Sequence, residues 1–135
     1  MNFDDYNKAQ AKENKNIIAI DFDGVIHKSS KGFHDGTIYD DPIEDSIESI
    51  KTLKSKGYKL IIYTCKAHPE RPLINGKNGI ELIWDWLEKH RIKDLISDVV
   101  WGKPWALVYI DDKGYRFENW QDTMSFIANV FDLKE

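Results

Sequence analysis

Ile17-Ile18-Ala19-Ile20-Asp21-Phe22-Asp23-Gly24 is the stretch that decides the fold. Four apolar residues in succession, without polar alternation, suit a strand buried on both faces, and Asp21-Phe22-Asp23-Gly24 stops it in a turn. Two more runs have the same character. Lys59-Leu60-Ile61-Ile62-Tyr63 ends at Thr64, and Ala106-Leu107-Val108-Tyr109-Ile110 runs into Asp111-Asp112. Asp98-Val99-Val100-Trp101 is a shorter strand of the same kind.

Helical patterns lie between and after these runs. Asp41-Pro42-Ile43-Glu44 reads as a helix start, with Asp41 at the N-cap, Pro42 at the first helical position and Glu44 placed for a capping box. Ile43, Ile47, Ile50 and Leu53 continue its apolar stripe, and Gly57 ends it. Ile80, Ile83, Trp84 and Leu87, widened by Leu82 and Trp86, mark a second helix; Trp120, Met124, Ile127 and Phe131 mark a closing one. Strands alternating with helices predict an α/β fold: a Rossmann-like open, mostly parallel sheet with right-handed crossovers and helices on both faces. Residues 1–16 are polar and charged and read as a flexible or helical N-terminal arm, and 17–135 as a single domain. Val25 to Asp40, punctuated by glycine, reads as a loop or small flap.

Composition narrows the class. At 135 residues, with 41% hydrophobic and 31% charged residues, the chain suits one soluble globular domain and neither a disordered nor a membrane protein. No apolar run reaches membrane length and no secretory signal is evident, so a cytoplasmic location is expected. Cys65 is the single cysteine, which rules out an internal disulfide and a cysteine-based zinc site. A net charge of −4 argues against broad nucleic-acid binding.

In open parallel sheets ligands bind at the carboxyl ends of the strands. Asp21, Asp23, Thr64, Asp111 and Asp112 all follow apolar strands, and Lys103 lies in the loop feeding the last one. Carboxylates gathered so closely repel unless a cation neutralises them, and an oxygen-only donor set suits Mg²⁺ better than zinc or copper. A carboxylate can also attack phosphorus, splitting one hard displacement into two. Asp21, at the strand end, is the expected nucleophile, and Asp23 the acid/base. Thr64 and Lys103 are the expected phosphate-binding groups.

These residues resemble the four signatures of haloacid-dehalogenase-like hydrolases. Asp21-Phe22-Asp23-Gly24-Val25 is similar to their Asp-x-Asp-Gly-Thr/Val, Ile61-Ile62-Tyr63-Thr64 to the second signature, Lys103-Pro104 to the third and Asp111-Asp112 to the fourth. The resemblance covers Ile17 to about Trp120. It implies a Mg²⁺-dependent phosphomonoester hydrolase working through an aspartyl-phosphate. The metal would be held by Asp21, the Asp23 carbonyl and one of the last pair, Asp112 ahead of Asp111. Gly24 to Asp41 and Cys65 to Gly102 leave no room for a cap domain, which implies a capless phosphatase. Its phosphorylated substrate would be a small molecule, a nucleotide or a polynucleotide end, possible cover coming from a homo-oligomer. The rival readings are a catalytically silent module that binds phosphorylated ligands and a phospho-receiver domain; the latter would need an Asp where Thr64 stands.

Other residues invite blander readings. His27, His34 and His68 read as solvated loop histidines, and His90 as a helix C-terminal cap. Cys65 reads as a small hydrophobe, Arg71 as an exposed loop residue, and Lys51, Lys54, Lys56 and Lys59 as a solvated face. Trp101 and Trp105 flank Lys103, where one could line a substrate entrance.

Overall fold

The computed structural model describes residues 16–32, 34–111 and 115–130, the last segment beginning with a backbone-only pair at 115–116. The arm expected before residue 16 and the predicted metal ligand Asp112 lie outside the described residues. The strands are β1 (Ile17–Asp21), β2 (Lys59–Tyr63), β3 (Asp98–Val100), β4 (Val108–Asp111) and the short β5 (Tyr115–Arg116). The helices are α1 (Ser46–Ser55), α2 (Gly79–Lys89) and α3 (Trp120–Val130). All pairings are parallel, in the order β3-β2-β1-β4-β5. This is an α/β, Rossmann-like open sheet, with no inserted cap domain among the described residues.

The apolar runs become strands because their side chains are used on both sides. Ile18, Ile20, Leu60, Ile62, Val108 and Ile110 point into one cluster with Ile50 and Leu53 of α1, Ile83, Trp86 and Leu87 of α2, and Trp120 and Ile127 of α3. Each fully buried Ile or Leu contributes about 1.5–3 kcal/mol relative to exposure. The opposite face carries Ala19, Ile61 and Tyr63, also buried. Its described cover is the segment before β4: the Tyr109 hydroxyl donates to the Pro104 carbonyl, and Leu107 N–H to Ile17 O at 2.7 Å. The described helices thus share one face rather than the two expected, because the stretch between β3 and β4 forms a loop whose contacts close the other face.

The helix start at Asp41 is corrected. Residues Asp41 to Ile43 pin a loop instead: Ile43 N–H donates to Ile26 O at 2.8 Å, and Pro42 faces His27 in an isolated antiparallel bridge. Helix α1 begins at Ser46, after Asp45 in a left-handed conformation (φ 67°) with no side-chain cap. Its end follows expectation. Gly57 at φ +93° donates to Lys54 O and Tyr58 N–H to Leu53 O, the double bond of a Schellman cap. Helix α2 carries the capping box instead, Asn78 accepting from Glu81 N–H and Glu81 from Asn78 N–H. His90 stands at its C-cap position, but the ring packs on Trp86, 4.4 Å between centroids, and burial pushes its pKa down.

The first residue of α2 touches the chain just after β2. A Cβ on Gly79 would lie 1.7 Å from the Lys66 carbonyl oxygen, a backbone atom that cannot step aside. Gly79→Ala is therefore expected to lower unfolding free energy by about 1–3 kcal/mol, as overpacking does. Gly102→Ala, which meets open space, is expected to stay within about 0.5 kcal/mol of wild type. Urea denaturation of both variants checks this; equal midpoints would refute the close approach.

Candidate active site

The strand order reverses its direction of growth beside β1, between β2 on one side and β4 on the other. This is the switch point at which open α/β sheets bind ligands. The registers bring the strand ends level: Ile20 pairs with Ile62 and with Ile110, and Asp21 with Tyr63. A cleft of about 350 Å³ opens there, and Asp21, Thr64, Lys103 and Asp111 all line it, together with Tyr63, Cys65 and Trp101.

Each of these side chains is held by its local structure. Asp21 Oδ1 accepts the N–H of Phe22 at 2.8 Å. Thr64, buried at the end of β2, accepts Lys66 N–H on its Oγ1 at 3.2 Å, which leaves its hydroxyl proton free to be directed elsewhere. Lys103 approaches the buried Asp111 to 3.2 Å and lies over the Tyr109 ring, 4.8 Å from its centroid. The carboxylate and the aromatic face together hold the ammonium at the cleft.

Asp23 does not share the lining of the cleft. Its carboxylate lies between two other groups, His27 Nδ1 at 2.8 Å from Oδ1 and Lys66 Nζ at 3.4 Å from Oδ2. Neither partner was singled out as functional from the sequence. His27, read as a solvated loop residue, is fully buried, stacked on Phe22 and edge-on to Trp86 and Tyr39. Asp40 N–H donates to its Nε2 at 3.0 Å. A nitrogen that accepts carries no proton, so the ring proton sits on Nδ1 and is donated to Asp23. A histidine following the apolar pair Val25-Ile26, four residues after a strand-end Asp, was the available signal. Lys66 is buried too, and a buried ammonium is tolerated only where counter-charge is close.

The remaining candidates separate. His34 is exposed and lies by Tyr39, while His68 packs edge-on to Trp101 at 4.6 Å. Cys65, expected as a small buried hydrophobe, is exposed in the cleft. Arg71 is half-buried, its Nε donating to Cys65 O at 2.9 Å. Trp101 lines the cleft; Trp105 is exposed outside it. The four lysines of the expected solvated face are exposed.

Among the described residues no three His, Cys, Asp or Glu side chains converge as a metal cluster. Mg²⁺ needs fewer: it commonly takes one or two carboxylates and completes its shell with water and substrate phosphate. Asp21 and Asp111 supply such a pair in one cleft, so the donors present fit that ion. Comparison of the chain with protein-family models, with curated proteins and with solved structures returned no match. The functional reading therefore rests on the residues themselves.

His27→Ala would strip a partner from both Asp23 Oδ1 and the Asp40 N–H. The expected loss of stability is about 1–3 kcal/mol, read by thermal or urea unfolding. In the wild-type protein, imidazole ¹⁵N–¹H correlation is expected to show His27 protonated at Nδ1 and bare at Nε2; the opposite tautomer would contradict this hydrogen-bond assignment.

Proposed function

We propose that the protein is a Mg²⁺-dependent phosphomonoester hydrolase of the capless haloacid-dehalogenase-like kind. The observation that carries this reading is the cleft itself: Asp21, Thr64, Lys103 and Asp111, from three different strand ends and a loop, line one space at the switch point. A carboxylate nucleophile, a hydroxyl donor and an ammonium in one cleft are the groups phosphoryl transfer requires.

In the first step an Asp21 carboxylate oxygen attacks phosphorus. The bond from phosphorus to the ester oxygen breaks, and Asp23 delivers a proton to that oxygen, which leaves as the alcohol. In the second step a water attacks the aspartyl-phosphate, Asp23 takes its proton, and the bond between phosphorus and the Asp21 oxygen breaks to release phosphate. Thr64 and Lys103 hold the phosphoryl oxygens throughout, each contact contributing about 3 kcal/mol to the transition state. His27 fixes the orientation of Asp23, so that the acid/base group need not be ordered during the reaction. Asp21, the Asp23 carbonyl and one of the Asp111-Asp112 pair would hold Mg²⁺, which would supply charge neutralisation there.

No helix among the described residues is long and apolar enough to cross a membrane. The proposed substrates are phosphate esters of a small molecule, a nucleotide or a polynucleotide end, met in the cytoplasm.

Phosphate release from p-nitrophenyl phosphate and a nucleotide panel, with Mg²⁺ and with chelator, tests the proposal. Turnover is expected only with the metal, and Asp21→Asn is expected to lower kcat/KM by at least about 10³-fold. Undiminished turnover in Asp21→Asn would remove Asp21 as nucleophile. Tight binding of the esters without turnover by wild type would make the protein a phospho-ligand binding module instead.

A further inference from the structure

Resting on the phosphatase reading, we infer that the cavity under the 25–40 flap seats the alcohol portion of the substrate, and that this alcohol is compact and mainly apolar rather than a polyol. The cavity holds about 180 Å³ and is separate from the cleft that contains Asp21. One short turn joins the two. Cys65 lines the cleft; Lys66, the next residue, lines the cavity and reaches Asp23 Oδ2 at 3.4 Å. The group that protonates a departing oxygen must stand on the side where the alcohol leaves. Asp23 lines neither space, but its Oδ2 pairs with Lys66 of the cavity wall, and this places the alcohol on the cavity side while the phosphoryl group occupies the cleft.

The walls define the alcohol. Ile38 comes from the flap, Ile74 from the loop before α2 and Leu82 from α2 itself. Hydroxyls of a sugar or glycerol chain would find no partners on those three side chains, and a buried polar group without a partner opposes binding. The polar lining is confined to Lys66, Arg71 and Asp35. Hydrogen bonds from Thr37 hold the Asp35 carboxyl below its usual range, so the polar part of the lining is one carboxylate and two cations.

The walls are also preformed. Asp40 has its N–H bound to His27 Nε2 and its carbonyl bound by Trp86 Nε1–H, each at 3.0 Å, so the flap is anchored two residues beyond Ile38. Ile74 exchanges two backbone hydrogen bonds with Lys77, at 2.9 and 3.0 Å. A cavity shaped before binding discriminates by fit.

Benzyl phosphate and glycerol 2-phosphate are both alkyl esters whose leaving oxygen needs the same proton, so a difference between them reads the fit of the alcohol. Wild type with Mg²⁺ is expected to favour benzyl phosphate by at least about tenfold in kcat/KM, carried by KM. Leu82→Trp fills the cavity and is expected to bring that ratio toward one. Ile38→Phe, on the flap, does the same without touching a helix, which covers the case that Leu82→Trp disturbs α2. A wild-type ratio near one, or filling variants that slow both esters in proportion, would overturn the assignment. Calorimetric titration of Asp21→Asn with the same two esters separates the two levels. Preferential benzyl phosphate binding that Leu82→Trp abolishes, with neither ester turned over by wild type, would end the phosphatase reading and leave the cavity assigned. Turnover of both esters without preferential binding would end the cavity assignment alone.

Discussion

The constraint on which the rest of the structure depends is the parallel pairing of β1 on both its edges. With Ile20 level with Ile62 and with Ile110, the residues that follow each strand emerge at one height. Asp21, Thr64 and Asp111 share a cleft for that reason. A slip of one residue in either pairing would turn the Ile18–Ile20 side chains out of the cluster formed with the helices. Burial of the core face and assembly of the site are thus the same choice of register.

A second arrangement is laid over this one by His27. Its two ring nitrogens serve different masters, the Asp23 carboxylate on one side and the Asp40 peptide on the other. The Asp40 carbonyl in turn accepts from the Trp86 indole of α2. A continuous path of hydrogen bonds therefore runs from the residue proposed as acid/base, through a buried imidazole, to the root of the flap and onto a helix. Its central member is fully buried, where water cannot substitute for a lost partner.

What the sequence made legible and what it hid divide along this line. The first four strands and the second and third helices were readable because apolar runs and 3.6-residue spacing report burial directly, whereas the two-residue β5 was too short to carry such a run. That Asp21, Thr64 and Asp111 would gather at one edge of the sheet was readable because they follow apolar strands that pair in parallel. Asp41-Pro42-Ile43-Glu44 carried helix-start chemistry, yet tertiary pairing of Pro42 with His27 and of Ile43 with Ile26 used that backbone first. His27 and Lys66 were hidden for a related reason. A polar side chain in a loop reads as solvated unless its partners are known, and those partners here come from sites as distant as Asp23 and Asp40.

Lys103 and Lys66 show how position in the fold divides similar chemistry. Lys103 is half-exposed, reaching Asp111 across the mouth of the cleft. Lys66 is nearly sealed off and faces Asp23 from the cavity side. An exposed ammonium exchanges its partners readily and can turn to an arriving phosphoryl group, whereas a buried one holds its partner because separation would leave a charge without solvent. The same type of charge can therefore capture an anion on one side of the site and fix a carboxylate on the other. What sets the two roles is depth, and depth follows from where each residue leaves its strand: Lys66 on the turn directly beneath Gly79 of α2, Lys103 on the open segment that approaches β4.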